Sequence, residues 1–354
     1  MTRRISRSRK EGWRQYVDGK PRTQPDRLSM AQLQALGDAA REDYNEARHD
    51  WHPNLAIIRT PQLADLHDEI DQIVASNRHD AGRIRGVVAI DALPGLGKST
   101  IAETCGRALD RAEMRRHGPL TSDGHERLPV FRVGLAANTT LRTLSEMICR
   151  FYAHPSVTNT RHRLSADRLA SFALDSVLSC ETVLGIIDDI HFIDPRRKEG
   201  LDVTNHLKFL NSEFPITFIY VGVDLAGEKR FFGEGGSGVR AIYAQTGRRW
   251  TRLEVAPFEI ATEIGRRNWQ SLLKASEQQI VLAHARPGML VENADYMFER
   301  STGHIGWFFS LHGELSAGPR PEGGFRVTAR LPVPAEAALP SATADELPVP
   351  AALG

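Results

Sequence analysis

Lys98 and Ser99 stand side by side behind two glycines, Gly95 and Gly97, and a pair of adjacent aspartates, Asp188 and Asp189, follows roughly ninety residues later. The first group is chemistry for phosphate. In the stretch Pro94-Gly95-Leu96-Gly97-Lys98-Ser99-Thr100 the glycines let consecutive backbone N–H groups turn inward, and the positive end of a following helix adds to their pull. Lys98 is expected to reach the β- and γ-phosphates of a nucleotide, and the Ser99 hydroxyl to ligate Mg²⁺. The second group is chemistry for a cation and a water. Asp188 is placed to hold Mg²⁺, directly or through water, and Asp189 to orient or deprotonate the attacking water. Each group also has a plain structural reading, a Gly-rich turn for the first and a helix cap or turn for the second. Their occurrence together at this separation favours nucleotide chemistry. One position departs from the G-x-x-x-x-G-K-[ST] pattern: its first glycine is Ala92, which keeps the loop narrow but tolerates fewer backbone conformations.

The elements that must position these residues are legible around them. The β-branched run Val87, Val88, Ile90 predicts a strand that breaks into the loop, with a helix opening at Ser99 and running to about Met114. The apolar run from Thr182 to Ile187 predicts a buried strand whose C-terminal end delivers both aspartates, the edge where ligands bind in open α/β sheets. Further strands are expected over 130–135 and 216–222, the latter beside the aspartate strand and bringing Val223 and Asp224 near the γ-phosphate, and another within 245–255. Helices are expected over 29–48, from the Thr60-Pro61 start onward, after the cap Asn138-Thr139-Thr140, and over 165–179 and 203–212. Strands alternating with helices imply a parallel sheet with right-handed crossovers, the α/β class. Residues 257–275 and 278–311 read as a small helical lid, broken at Gly288 and turning at Gly303-His304-Ile305-Gly306. Trp51, His52 and His191 read as packing or capping residues.

Composition bounds the rest. With 354 residues, 41% hydrophobic and 25% charged, the chain has room for about two domains. A net charge of +1 means that any nucleic-acid contact must come from a local patch. Cys105, Cys149 and Cys180 are odd in number and far apart, which argues against a disulfide framework or a metal site and suits a reducing, cytoplasmic setting. No apolar run approaches the roughly 18 residues of a membrane span, and no apolar segment follows Arg3-Arg4 as an export signal requires. The basic residues 1–26 predict a flexible arm, read either as an electrostatic contact with DNA or an acidic partner or as a solvated tail. Residues 231–238 read as a mobile Gly-rich loop, and the Pro/Ala-rich stretch beyond Gly313 as disordered. The expected organisation is an arm and bracing helix over 1–50, a nucleotide-binding core over 51–257, the lid over 258–312 and the tail over 313–354.

Taken together, residues 51–307 resemble the TniB/TnsC/IstB group of AAA+ ATPases that regulate transposition. The likeness is carried by Leu-Pro-Gly-Leu-Gly-Lys98-Ser99-Thr100, by Ile-Ile-Asp188-Asp189-Ile-His191, and by the segment from Asn205 through Asn211 to Val221-Gly222. Arg249-Trp250, where the family often has Arg-Phe, and the lid turn Ser301 to Gly306 complete it. The resemblance implies an AAA+ P-loop fold and an ATP-dependent oligomer, a ring or filament, that forms on DNA and licenses a partner DDE transposase. It implies ATP and Mg²⁺ at Lys98, Ser99 and Asp188, Asp189 as the catalytic carboxylate, and Arg249 as an arginine finger reaching a neighbouring subunit. Among the residues alone, the basic run around Arg249 reads equally as a surface cluster. Asp189 stands where the family usually has glutamate, which implies slow hydrolysis, and Gly306 where many AAA+ proteins have an arginine. The lid is expected to be shortened by a reading-frame change near Trp307. Other classes remain open: a small-molecule phosphotransferase, a signalling or defence NTPase, or a hydrolysis-poor nucleotide-binding scaffold.

Overall fold

The computed structural model describes residues 5–79, 85–136, 139–158, 164–192, 207, 209–225, 250–283, 285–310, 315–319 and 325–329. Five parallel strands form its centre: β1 (Val87–Ala92), β2 (Val130–Gly134), β3 (Leu184–Asp188), β4 (Thr217–Gly222) and β5 (Trp250–Val255), in the order β2-β3-β4-β1-β5. β1, β3 and β4 are buried at every residue, as their near-continuous apolar sequences require of strands covered on both faces. Register aligns the strand ends: Gly134 pairs with Asp188, and Asp91 lies between Gly222 and Glu254. One edge of the sheet therefore collects the loop after β1 and the carboxylates after β3.

The helices are α1 (Lys10–Asp18), α2 (Met30–Ala35), α3 (Asp38–Trp51), α4 (Pro61–His79), α5 (Lys98–His117), α6 (Leu141–Phe151), α7 (Pro155–Thr158) and α8 (Ala166–Ser179). Three of them start at a capping hydroxyl, expected at Thr60 and Thr140 and found also at Ser165. Thr60 Oγ1 accepts from Leu63 N, Thr140 from Thr143 N, and Ser165 from Arg168 N. After β5 come α9 (Glu263–Gln279), α10 (Met289–Glu292), α11 (Ala294–Ser301) and α12 (Ile305–Ser310). These gather a second apolar cluster around fully buried Trp269 and Phe308, separate from the cluster on the sheet. Among the described residues no helix is long and apolar enough to cross a membrane.

Several boundaries differ from expectation for local reasons. The single helix over 29–48 is two, because Leu36 and Gly37 are extended and Gly37 caps α3. Residues 257–261 are not helical; Thr262 caps α9, which runs through Gln279, and 280–283 and 285–288 do not resume a helix. Within the stretch read as a disordered tail, β6 (Leu315–Pro319) and β7 (Phe325–Ala329) pair as an antiparallel hairpin. The 231–238 loop, Arg248 and Arg249 lie outside the described residues, as does half of the helix expected over 203–212, whose described residues 207 and 209–212 are helical.

The largest departure is at the N-terminus. Residues 10–18, expected in a flexible arm, are α1, docked on α5 and β2 with Trp13 and Val17 buried. Trp13 Nε1 donates to Asp110 Oδ2 at 3.0 Å and Arg14 Nη1 to Asp110 Oδ1 at 2.9 Å. Arg107 and Arg111 reach back to the Val17 carbonyl, at 3.2 and 2.8 Å, and so cap the end of α1. Several of the basic residues have partners within the chain while staying at its surface: Arg7 pairs with Glu103, Lys10 with Glu126, and Arg27 with the Glu277 carbonyl. Gln24 Nε2 donates to the Gln278 carbonyl at 2.8 Å and Trp51 Nε1 to the Gln279 carbonyl at 2.7 Å. Residues 5–51 thus run from the sheet to the lid and bind both.

Candidate functional site

The turn after β1 is built from backbone. Gly95 and Gly97 have φ of 79° and 82°, the left-handed region that glycine enters without strain. Gly97 is the N-cap of α5 and offers no side-chain acceptor, so the first amides of the helix are left for another one. Ala92 is the last residue of β1, paired with Val255 and extended like the rest of the strand. A glycine is not required there. Pro94 is exposed and Leu96 buried, which anchors the loop at one point while its crest faces out.

Lys98 is half-buried, and its Nζ donates to the Leu93 carbonyl at 3.1 Å. Burial pushes its ammonium below the usual lysine range, against the upward pull of Asp188, Asp189 and Asp91. The Ser99 hydroxyl donates to Asp188 Oδ1 at 3.2 Å. This contact crosses from β1's loop to β3, past β4, and brings together the two residues expected to share a cation. Asp188 is 2% exposed; Asp189 N donates to its Oδ1 at 2.9 Å and Arg132 Nη2 to its Oδ2 at 2.7 Å. Asp189 and Asp224, each just beyond a strand end on this edge, have φ of 59° and 52°. Aspartate tolerates that region better than most residues, and such strain gathers at functional edges.

Among the described residues no cluster of three or more His, Cys, Asp or Glu side chains could hold a metal by itself. A hydroxyl and one carboxylate facing a helix N-terminus instead suit a small hard cation that takes its remaining ligands from phosphate oxygens and water. The residues present fit Mg²⁺ bound with a nucleotide.

A cavity of about 600 Å³ opens beside the loop, lined by Ile57, Ile58, Leu63, Ile101, Phe258 and Ile305 among others. Its walls come from three places: the segment before α4, the loop itself and the lid. The lid meets the loop through backbone, with Gly306 N donating to the Gly95 carbonyl at 2.7 Å, and Phe258 N fixes the turn beside it by donating to the Gly303 carbonyl at 2.9 Å. A Cβ on Gly306 would stand 2.7 Å from that Gly95 oxygen. Gly306→Ala is therefore expected to cost about 1–3 kcal/mol by overpacking, read as a lower midpoint in thermal unfolding.

Sequence reasoning placed Lys98, Ser99, Asp188 and Asp189, and the structure brings all four to one edge. Arg249 lies outside the described residues; its neighbour Arg252 pairs with Asp91 Oδ2 at 3.2 Å, and Trp250 stacks on Tyr220 at 4.6 Å. Sequence reasoning missed Asp91, Arg132 and the wall at 55–58. The signal for the first two was present, a charged residue inside an otherwise apolar strand.

Residues 82–230 match the family model described as an AAA domain. No curated protein matches the chain significantly. Among solved structures, the chain is similar to the ORC1 protein of Aeropyrum pernix in complex with DNA, at 15% identity and a TM-score of 0.50, covering 72% of this chain and 59% of that one. It is also similar to CDC6P from Pyrobaculum aerophilum, at 13% identity and a TM-score of 0.50, covering 74% and 62%. The chain thus spans about three fifths of the length of the solved proteins it matches. At such identities the likeness speaks for the fold, which agrees with the strand order and the glycine-built loop: the chain has the P-loop AAA+ fold.

Proposed function

We propose that the protein binds ATP with Mg²⁺ in this cleft and hydrolyses it, working as an oligomeric switch on DNA that acts on a partner DDE transposase. The observation that carries the ATP site is the meeting of Ser99 and Asp188 at 3.2 Å beside Lys98, at the mouth of a loop turned by two left-handed glycines. Residues Pro94 to Thr100 wrap the phosphates, Lys98 takes the β- and γ-phosphate charge, and Ser99 and Asp188 hold the cation. Asp189 orients the attacking water. Mg²⁺ held by Ser99 and Asp188 would supply charge neutralisation at the phosphate oxygens. The apolar cavity beside the loop is of a size for the nucleoside. Arg249 is assigned to the neighbouring subunit's γ-phosphate, where a second positive charge stabilises the transition state.

Support for transposition comes from the sequence likeness to TniB-type proteins, and support for DNA also from the ORC1 structure of the same fold, which is a complex with DNA. Turnover of the purified protein, measured with and without duplex DNA at two salt concentrations, tests the whole. DNA is expected to raise turnover, with the effect fading at high salt as phosphate contacts are screened. Asp189→Asn is expected to lower turnover about 100-fold or more while leaving nucleotide affinity within a few-fold. Hydrolysis indifferent to DNA would overturn the DNA switch; ATP bound but never hydrolysed would leave a scaffold.

A further inference from the structure

Asp188 is gripped on both oxygens. Ser99 and the Asp189 amide donate to Oδ1, while Arg132 donates to Oδ2 at 2.7 Å. Arg132 comes from β2, two residues before Gly134, and Gly134 is the register partner of Asp188. That glycine makes room for the guanidinium: a Cβ there would stand 3.1 Å from Arg132 Nη1 and 3.6 Å from its Cζ and Nη2.

The other contacts of Arg132 lead away from the loop. Its Nη1 donates to Ser8 Oγ at 3.0 Å, and its Nε lies 3.2 Å from Glu103 Oε1 without the alignment of a hydrogen bond. Glu103, on α5 and 7% exposed, also pairs with Arg7 of the N-terminal segment. Four charges therefore alternate from the N-terminus to the site: Arg7, Glu103, Arg132, Asp188. The inner members are shielded from water, so their fields are weakly screened.

We propose that Arg132 is a positioning residue for the divalent cation. It pins Asp188 through Oδ2, leaves Oδ1 turned to Ser99 for the cation, and opposes the cation's charge at short range. Glu103 shares the guanidinium and offsets that opposition, so the pair sets how much Mg²⁺ the site requires. The proposal rests on the nucleotide reading of the cleft. It carries a signature that simple damage lacks: neutralising Arg132 and neutralising Glu103 move the Mg²⁺ requirement in opposite directions.

The test is equilibrium binding of a fluorescent ADP analogue to the full chain, first in EDTA and then with rising Mg²⁺. Arg132→Gln is expected to lower the Mg²⁺ concentration at half effect about tenfold, and Glu103→Gln to raise it about threefold. Arg132→Lys keeps the charge and is expected to stay within about threefold of the parent. Gly134→Ala, which presses on the guanidinium without removing it, shifts the requirement in the same direction as Arg132→Gln and carries the test if that variant fails to fold. A requirement unchanged or raised in Arg132→Gln, or moved the same way in Arg132→Gln and Glu103→Gln, overturns the proposal. A parent protein that binds the analogue with no dependence on Mg²⁺ overturns the cation assignment of Ser99 and Asp188, and the role of Arg132 with it.

Discussion

Lys98→Ala is expected to weaken nucleotide binding about 100-fold or more and to remove turnover, while leaving the fold intact. The side chain is half-buried between the Leu93 carbonyl and three carboxylates, and burial already works against its charge. Its removal therefore frees the folded protein from an unfavourable desolvation, and little stability is lost. What is lost is a charge-assisted donor aimed at phosphate, worth roughly 1.5–3 kcal/mol for each hydrogen bond to a charged group. Lys98→Arg does not rescue, because a planar fork cannot take the place of a compact ammonium in a loop this tight. Thermal unfolding reads both effects in one experiment. Nucleotide in large excess is expected to raise the midpoint of the parent protein and leave that of Lys98→Ala unmoved. A nucleotide-dependent rise of equal size in the variant would sink the assignment of Lys98.

Trp13→Ala is expected to destabilise the protein by about 3–5 kcal/mol, a large fraction of the stability of a domain. The indole is wholly buried against α5 and β2, in space that Gly106 leaves open: a Cβ there would lie 3.2 Å from the Trp13 ring and 2.8 Å from Ile186. Two losses add. A large apolar ring leaves a cavity, and the buried Asp110 carboxylate, whose pKa burial already raises, loses its indole N–H. Trp13→Phe keeps one six-membered ring and loses the donor with a smaller cavity, so its cost is expected lower, at about 2–3 kcal/mol. Urea unfolding of the two variants separates the terms. Unfolding of Trp13→Ala at the midpoint of the parent would mean that the first helix contributes nothing to the core.

Much of the site was legible because its chemistry is local in sequence. A glycine-built turn carries its phosphate geometry in its own backbone, and the strand that delivers Asp188 announces itself by an unbroken apolar run. The caps Thr60 and Thr140 were legible for the same reason, since a capping hydroxyl acts within three residues. What composition obscured was α1. Its Trp13, Tyr16 and Val17 have the spacing of one helix face, but the surrounding arginines outweighed three apolar residues. Charge of that density signals a solvated arm only when no partners wait, and here Glu103, Asp110 and Glu126 do. Arg132 and the cavity wall at 55–58 were not legible because their partners are remote in sequence: Asp188 for the first, the loop and lid for the second.

The strand order has a consequence in time. β1 lies between β4 and β5, so the strand that carries the phosphate loop has no neighbour until the chain has been made beyond Thr217, and only one until Trp250. Earlier in synthesis, β2 and β3 can pair with each other while Val87 to Ala92 waits, an apolar segment with both hydrogen-bonding edges bare. Long-range parallel pairing of this kind is slow, because the loop must close before contacts repay its entropy. The glycine-built loop is thus among the last parts of the sheet to be framed, and a nascent chain not yet made to Val255 holds the residues of the candidate site without the edge that aligns them.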